Sequence, residues 1–185
     1  MNPDLPAALL DYLRPSRVAL AIASAEGDNH LLAVSDRFFA LTGYDPDELI
    51  GRNCRLLQKT AANEEPRARL REFLGNPAQE NVRTLIVNFR KDGTPFVNLL
   101  YMSRLRSMGG KPSYIFASQF DVSRSQPDLL SDYDQELGQT LRRMTPIASE
   151  AGIVVEGTLL TIANSAATVA QAKMMLAALE SEESA

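Results

Sequence analysis

The spacing of apolar and polar residues changes character twice along the chain. Residues 4–13 are apolar-rich and predict a short helix. Residues 17–25 and 30–34 are apolar runs of strand length on either side of Glu26-Gly27-Asp28-Asn29, a turn-rich tetrapeptide, so two joined strands are expected. Ser35 is a favourable N-cap for a helix through Leu41, and Gly43 stands where a left-handed residue would end it. Asp45-Pro46-Asp47-Glu48 predicts another short helix, with Pro at its first position and acids at the positive end of the dipole. Short helices follow at 53–59 and 64–74, then strand-like runs at 82–90, 95–106 and 113–122. Two strands, several short helices and three strands make an α+β arrangement.

Beyond Pro127 the period lengthens. Leu130, Tyr133, Leu137, Leu141 and Met144 recur at three- to four-residue steps and predict a helix over 129–144 with one apolar face. Pro146 and Gly152 are expected to interrupt it. A second, Ala-rich helix is expected over 158–179, with Leu159, Ile162, Ala166, Val169, Met174 and Leu176 near one stripe. Neither helix has enough apolar surface to stand alone, so both should pack on each other, on the front domain or on a second chain. The change falls at Ser123-Arg124-Ser125-Gln126-Pro127, a polar stretch ending in a helix breaker. Three segments result: an N-terminal helical cap over 1–16, a domain over 17–126 and a helical extension over 127–185.

Composition sharpens this division. The 185 residues are 45% hydrophobic and 23% charged, a globular balance. The net charge of −4 is uneven, because residues 127–185 carry nine acids against Arg142, Arg143 and Lys173. Phosphate contacts need clustered Lys and Arg, so no nucleic-acid partner is expected there. No apolar run approaches the roughly 18 to 20 residues of a membrane span, so no membrane partner is expected. Met1-Asn2-Pro3-Asp4 lacks the basic start and apolar stretch of a signal peptide, so a cytoplasmic chain is expected. Cys54 is the one cysteine and His30 the one histidine, which excludes an intramolecular disulfide and a thiolate or histidine-rich metal site. No acid–nucleophile pattern surrounds His30, so hydrolytic triads are excluded and an enzyme is not expected.

Two stretches carry candidate chemistry. In Gly51-Arg52-Asn53-Cys54-Arg55-Leu56-Leu57-Gln58, helical spacing lets Cys54, Arg55 and Gln58 converge on one ligand. Arg71 follows in the run Arg67-Ala68-Arg69-Leu70-Arg71, and Arg is the natural bidentate partner of a phosphate. The competing reading is a solvated basic face and a thiol packed as a small hydrophobe. The second stretch runs from Asn88 to Asn98 around Lys91-Asp92-Gly93-Thr94. With a two-residue loop the two Asn side chains face opposite ways. A three-residue loop ending in a left-handed Gly93 pairs Arg90 with Thr94 and puts both amides on one face. Amides side by side amid Ile86, Leu99 and Leu100 suit the edge of a heterocycle that both donates and accepts. The competing reading, which the residues alone favour, is that one or both are ordinary turn-flanking polar residues. By alternation, Gln119 shares a side with Ile115 and Ala117, which points it inward; the competing reading is a solvent-facing edge position.

Residues 17–123 resemble the LOV family, the blue-light-sensing branch of PAS domains. The octapeptide at 51–58 is similar to that family's signature, in which Phe usually follows the Cys-Arg pair. Thr42-Gly43-Tyr44, the stretch from Asn88 to Asn98, and Gln119-Phe120-Asp121-Val122-Ser123 match in the same order. The resemblance implies a five-stranded antiparallel sheet with its helices on one face, enclosing non-covalent FMN. It implies that Arg55 and Arg71 hold the phosphate, and Asn53 and Gln58 the ribityl chain and phosphate end. Asn88 and Asn98 would bond the pyrimidine edge, Gln119 would lie near O4 and N5, and Cys54 over ring carbon C4a. Three departures stand out: Leu56 for the usual Phe, Val97 for the usual Trp, and residues 59–66 in place of a Gly-containing loop.

The implied function is a blue-light photoreceptor in which the Cys54 thiol adds reversibly to C4a while N5 gains a proton. Protonated N5 donates where it had accepted, so the Gln119 amide must rotate, and its strand leads into the rear helices. Output is expected as rearranged helices, a change in a homodimer, or binding of a signalling protein. Two other classes compete. One is a flavin-based redox or ligand sensor without the adduct, which would show no reversible blue-light bleach. The other is a dimerisation module, which would be colourless.

Overall fold

The computed structural model describes residues 5–157, 159 and 162–184. Helix α1 (Ala7–Leu13) precedes β1 (Ala19–Ser24) and β2 (Leu31–Val34). Helices α2 (Asp36–Thr42) and α3 (Pro46–Leu49), a 3₁₀ helix over Cys54–Gln58, and α4 (Glu64–Gly75) connect them to β3 (Asn81–Phe89), β4 (Pro95–Ser107) and β5 (Pro112–Gln119). Five strands run antiparallel in the order β2-β1-β5-β4-β3. This is the expected α+β fold.

Local chemistry explains several ends. Gly43 closes α2 at φ 74°, a conformation that costs a side chain dearly and glycine little. Glu48 reaches back to accept from the Asp45 backbone N–H at 2.9 Å, holding the start of α3. Ser35 holds the expected N-cap position of α2, but its side chain makes no cap hydrogen bond. Its hydroxyl donates to the Val18 carbonyl at 3.0 Å and accepts from Leu20 N–H at 2.9 Å, satisfying buried backbone of the strand beside it. The hairpin takes the three-residue form: Arg90 N–H bonds the Thr94 carbonyl at 2.9 Å and Gly93 has φ 90°. Asn88 therefore pairs with Phe96 and Asn98 with Ile86, so both amides share a face.

The extension departs from expectation in three ways. Helix α5 runs over Pro127–Glu150, so Pro127 starts it and Pro146 lies inside it. Met144 (1% exposed) and Ala148 (0%) are buried on either side of Pro146, and that packing outweighs the roughly 3 kcal/mol a proline costs a helix. Strand β6 (Ile153–Val155) then pairs with the end of β4, making a sixth strand. β3 leaves β4 at Ser103, and β6 satisfies the exposed edge of Leu105, Arg106 and Ser107. The second helix, α6 (Ser165–Glu183), starts seven residues later than expected, where the Asn164 side chain accepts from Ala167 N–H at 3.0 Å. Thr158, the expected start, lies outside the described residues. Val169 and Ala172 are the buried residues of α6, whereas Met174 is 74% exposed and Ala166 faces solvent.

The sheet separates two environments. Leu20, Ile22, Val97, Leu99, Tyr101 and Phe116 bury their side chains with Leu9 and Leu13 of α1 and the α5 stripe Leu130, Tyr133, Leu137, Leu141 and Met144. The extension thus packs on the face opposite α2–α4, so helices cover both faces of the sheet. The α5 stripe is buried within its own chain. Among the described residues no helix is long and apolar enough to cross a membrane.

Candidate functional site

The inner face of the sheet, the 3₁₀ helix and α4 enclose a cavity of about 330 Å³. Asn53, Cys54, Arg55, Gln58, Arg71, Asn88, Asn98 and Gln119, all eight residues singled out in the sequence, line it. Three arginines gather on its helical side, and three amides on the strands β3, β4 and β5.

Helix α4 is held at both ends. Near its start the Asn63 side chain imitates a neighbouring strand, donating to the Val87 carbonyl at 2.8 Å and accepting from Val87 N–H at 3.0 Å. At its end Arg104, 4% exposed, donates to the carbonyls of Gln79 and Asn76 at 3.1 Å and to that of Phe73. Orphan C-terminal carbonyls and a buried cation satisfy each other there. So fixed, α4 turns Arg67, Leu70, Arg71 and Leu74 toward the cavity. The Arg67 Nε–H donates to Gln58 Oε1 at 2.7 Å, and neither Arg67 nor Arg71 has a carboxylate partner among the described residues. Arg55 differs, because it pairs with Asp28 at 2.6 Å in an exposed bridge worth little.

Asn53 opens the 3₁₀ helix, accepting from Arg55 N–H at 2.8 Å and donating to the Asp28 carbonyl. Its amide therefore serves the loop. Cys54 follows with part of its surface facing the cavity. That surface is cavity wall, so surrounding protein still desolvates the thiol and pushes its pKa up to about 12. Leu56 packs with Phe38 and Leu49, and Val97 lies on the α5 side of the sheet, so neither departure from the family pattern lines the cavity. Leu99 shares the α5 face too, leaving Ile86, Leu100 and Met102 as the apolar neighbours of the amides. Lys59 holds φ 43° just after Gln58, a left-handed conformation that a glycine would adopt freely.

The three amides are interlocked. Asn98 Nδ2 donates to Asn88 Oδ1 at 2.9 Å and to Gln119 Oε1 at 2.8 Å. Asn98 Oδ1 accepts from the Phe120 backbone N–H at 3.1 Å. Gln119 is 3% exposed, and its Nε2 has no hydrogen-bond partner among the described residues. A buried amide nitrogen left unsatisfied is costly and marks a place where a ligand acceptor belongs.

The sequence reading named Arg67 only as part of a basic run. The signal was present: 67, 70, 71 and 74 follow the helical i, i+3, i+4, i+7 rule, so Arg67 shares the face of Arg71.

A PAS domain profile matches residues 18–124. The chain is 33% identical over 124 residues to blue-light-activated histidine kinase 1 of Erythrobacter litoralis, covering 66% of this chain and 34% of that protein. It belongs to the LOV branch of the PAS family. The crystal structure of a Rhodobacter sphaeroides LOV protein superposes with a TM-score of 0.70 over 94% of each chain, at 24% identity, a likeness of fold that includes the extension. A structure described as an RNA-binding light-oxygen-voltage receptor is 30% identical with a TM-score of 0.57, covering 77% of this chain and 39% of that one. This LOV chain spans well under half the length of the curated relatives it matches.

Proposed function

We propose that this LOV chain is a blue-light photoreceptor that holds FMN in the 330 Å³ cavity and reports illumination through its rear helices. The observation that carries the reading is a partly buried thiol, Cys54, in one cavity with Arg67 and Arg71, which lack carboxylate partners among the described residues, and an amide set whose Gln119 nitrogen lacks a partner. The donor set fits the group. Arg67 and Arg71 offer bidentate donors to a phosphate, and the amides offer donors and an acceptor to an edge that carries both. When bound, FMN would supply blue-light absorption and an electrophilic ring carbon for reversible addition of the Cys54 thiol, whose proton would be taken up by the ring. Cys54 delivers that sulfur and proton together, since burial keeps it a thiol. Gln119, with its unsatisfied Nε2 in the cavity wall, would offer its amide to the ring edge and respond to a change in protonation there. Ile86, Leu100 and Ile115 keep water from the ring face.

Sensing is the role of this chain in the proposal, and any catalytic output belongs to a partner or to chain outside it. Acid excess in residues 127–185 speaks for a protein partner over nucleic acid. An absorption spectrum before, during and after blue light tests the reading. The expected result is a flavin spectrum that bleaches and recovers in the dark. A flavin that never bleaches would favour the redox-sensor class, and colourless protein the dimerisation class.

The arginines give a second measurement. Replacing Arg67 and Arg71 with Ala removes charge-assisted bonds worth about 1.5 to 3 kcal/mol each, or about 10- to 100-fold in affinity per residue. Titration of the flavin-free protein should show FMN weakened by that factor and riboflavin nearly unchanged. Arg55→Ala should cost much less, because Arg55 is exposed and engaged with Asp28. Equal losses for FMN and riboflavin would place the phosphate elsewhere.

A further inference from the structure

We propose that Tyr133 is the residue of α5 that reads the state of the cavity, through Ser118 and Phe120 on either side of Gln119. The inference rests on the photoreceptor reading and names the contact by which that reading becomes a helix movement.

Strand alternation sets the geometry. Gln119 points into the cavity, while Ser118 and Phe120 point to the opposite face, where α5 lies. Tyr133 meets both. Its hydroxyl lies 2.8 Å from the Ser118 hydroxyl in a buried hydrogen bond, with either group able to donate. Its ring stacks on Phe120 with centroids 4.3 Å apart and planes inclined by 18°. Burial pushes its phenol up to about 12, so the hydroxyl keeps its proton at any working pH and remains both donor and acceptor.

On the cavity side, Asn98 grips Gln119 and, with it, the same Phe120. Its Nδ2 donates to the Gln119 side chain and its Oδ1 accepts from the Phe120 backbone N–H. If Gln119 turns its nitrogen to where its oxygen stood, two N–H donors face each other and Asn98 must move. Its hold on the Phe120 backbone moves with it. Phe120 then shifts against the Tyr133 ring, and the Ser118–Tyr133 bond changes length or partner. Interior packing is close, so such a shift is passed on as a discrete rearrangement rather than absorbed. Tyr133 is the fourth residue from the start of the apolar stripe Leu130 to Met144, so it is placed to loosen or tighten the first turns of α5 on the sheet.

Tyr133 is a positioning residue here; it touches neither the thiol nor the cavity. The test uses the full chain loaded with FMN, as wild type, Tyr133→Phe and Ser118→Ala. The Phe variant keeps the ring stack and loses the hydroxyl, and the Ala variant removes the same bond from the strand side. Three readouts are taken in dark and light: the absorption bleach, backbone amide exchange over 127–150, and the tyrosine C–O vibration. Wild type should show a light-dependent change in exchange and a shifted tyrosine band. Both variants should keep the full bleach, lose most of the exchange difference, and lose the shifted band. If one variant fails to fold, the other reports on the same bond. A variant that bleaches and retains the whole wild-type exchange difference overturns the proposal. So does a wild-type tyrosine band that is identical in dark and light while the bleach is normal, which would make Tyr133 a static prop. Absence of any bleach in wild type would instead sink the photoreceptor reading, and this inference with it.

Discussion

Cys54→Ala should bind FMN with near-normal affinity and show no reversible blue-light bleach. The chain holds one thiol, so nothing else in the cavity can supply the sulfur. Ala leaves every donor in place: the arginines sit on α4 and the 3₁₀ helix, and the amides on the strands. Because Cys54 is one of the partly buried residues around Phe38 and Leu49, the truncation removes a single sulfur and costs little stability. The expected loss is the whole amplitude of the bleach, with the dark spectrum unchanged. The pH dependence carries independent information. Burial raises the thiol to about 12, so in the folded protein it stays protonated through about pH 8.5, where a free cysteine is half ionised. Bleach amplitude should therefore be flat across that range. The same shift makes a stability statement: with its folded pKa raised, the thiol's contribution is full below the unfolded value and declines as pH rises toward 12. A Cys54→Ala protein that still bleached and recovered would end the assignment, and an amplitude rising with pH around 8.5 would mean a thiolate reacts.

What was legible in the sequence was what local rules govern. Gly43 and Gly93 announced their left-handed positions, and the hairpin register followed from Gly93 once the loop length was known. Alternation put Gln119 with Ile115 and Ala117, and all three line the cavity. The misses come from long-range contacts. Leu99 was grouped with the amides on sequence proximity, though strand alternation sends it to the other face. Pro146 reads as a breaker, and only burial of Met144 and Ala148 against the sheet shows why the helix continues. β6 is three residues long, below what periodicity can detect, and exists because β4 outruns β3. Arg67 was hidden for a different reason: a run of three arginines in five residues shows its charge before it shows which of them share a face. Arg69 turns away and pairs with Glu65 at 2.7 Å.

The same distinction explains the extension. Its sequence said that an apolar stripe must be covered, and left open whether by α6, by the sheet or by a second chain. The structure covers it with the sheet, α1 and α6, whose Val169 and Ala172 join the same buried cluster, while Met175 and Leu179 of α6 also pack against Val87 and Phe89 of β3. A cavity on one face and α5 on the other are then separated by one layer of strands. Gln119 and Tyr133 face each other across that layer, so a side-chain event has only the thickness of a sheet to cross.

Asp134→Ala should be the most destabilising single polar substitution in the extension. Asp134 follows Tyr133 on α5 and pairs with Arg83 of β3 at 2.6 Å, with side-chain exposures of 7% and 10%. Its other oxygen accepts from Ile162 N–H at 3.2 Å, so one carboxylate ties together the sheet, α5 and the segment leading into α6. Truncation leaves the Arg83 guanidinium buried without this counter-charge, a situation that costs about 3 to 5 kcal/mol. Against a typical stability of about 5 to 15 kcal/mol, that is about a fifth or more of the whole. Asp134→Asn keeps one acceptor oxygen, loses the charge and turns an NH2 donor toward the other contact, so it should fall between wild type and Ala. The double variant Arg83→Met with Asp134→Leu removes both charges and fills the space with apolar groups, and should recover most of the loss. Denaturant unfolding in the dark, with midpoints compared at constant m-value, measures all three. An Asp134→Ala protein within about 1 kcal/mol of wild type, the range of an exposed ion pair, would show that α5 is held to the sheet by its apolar stripe alone.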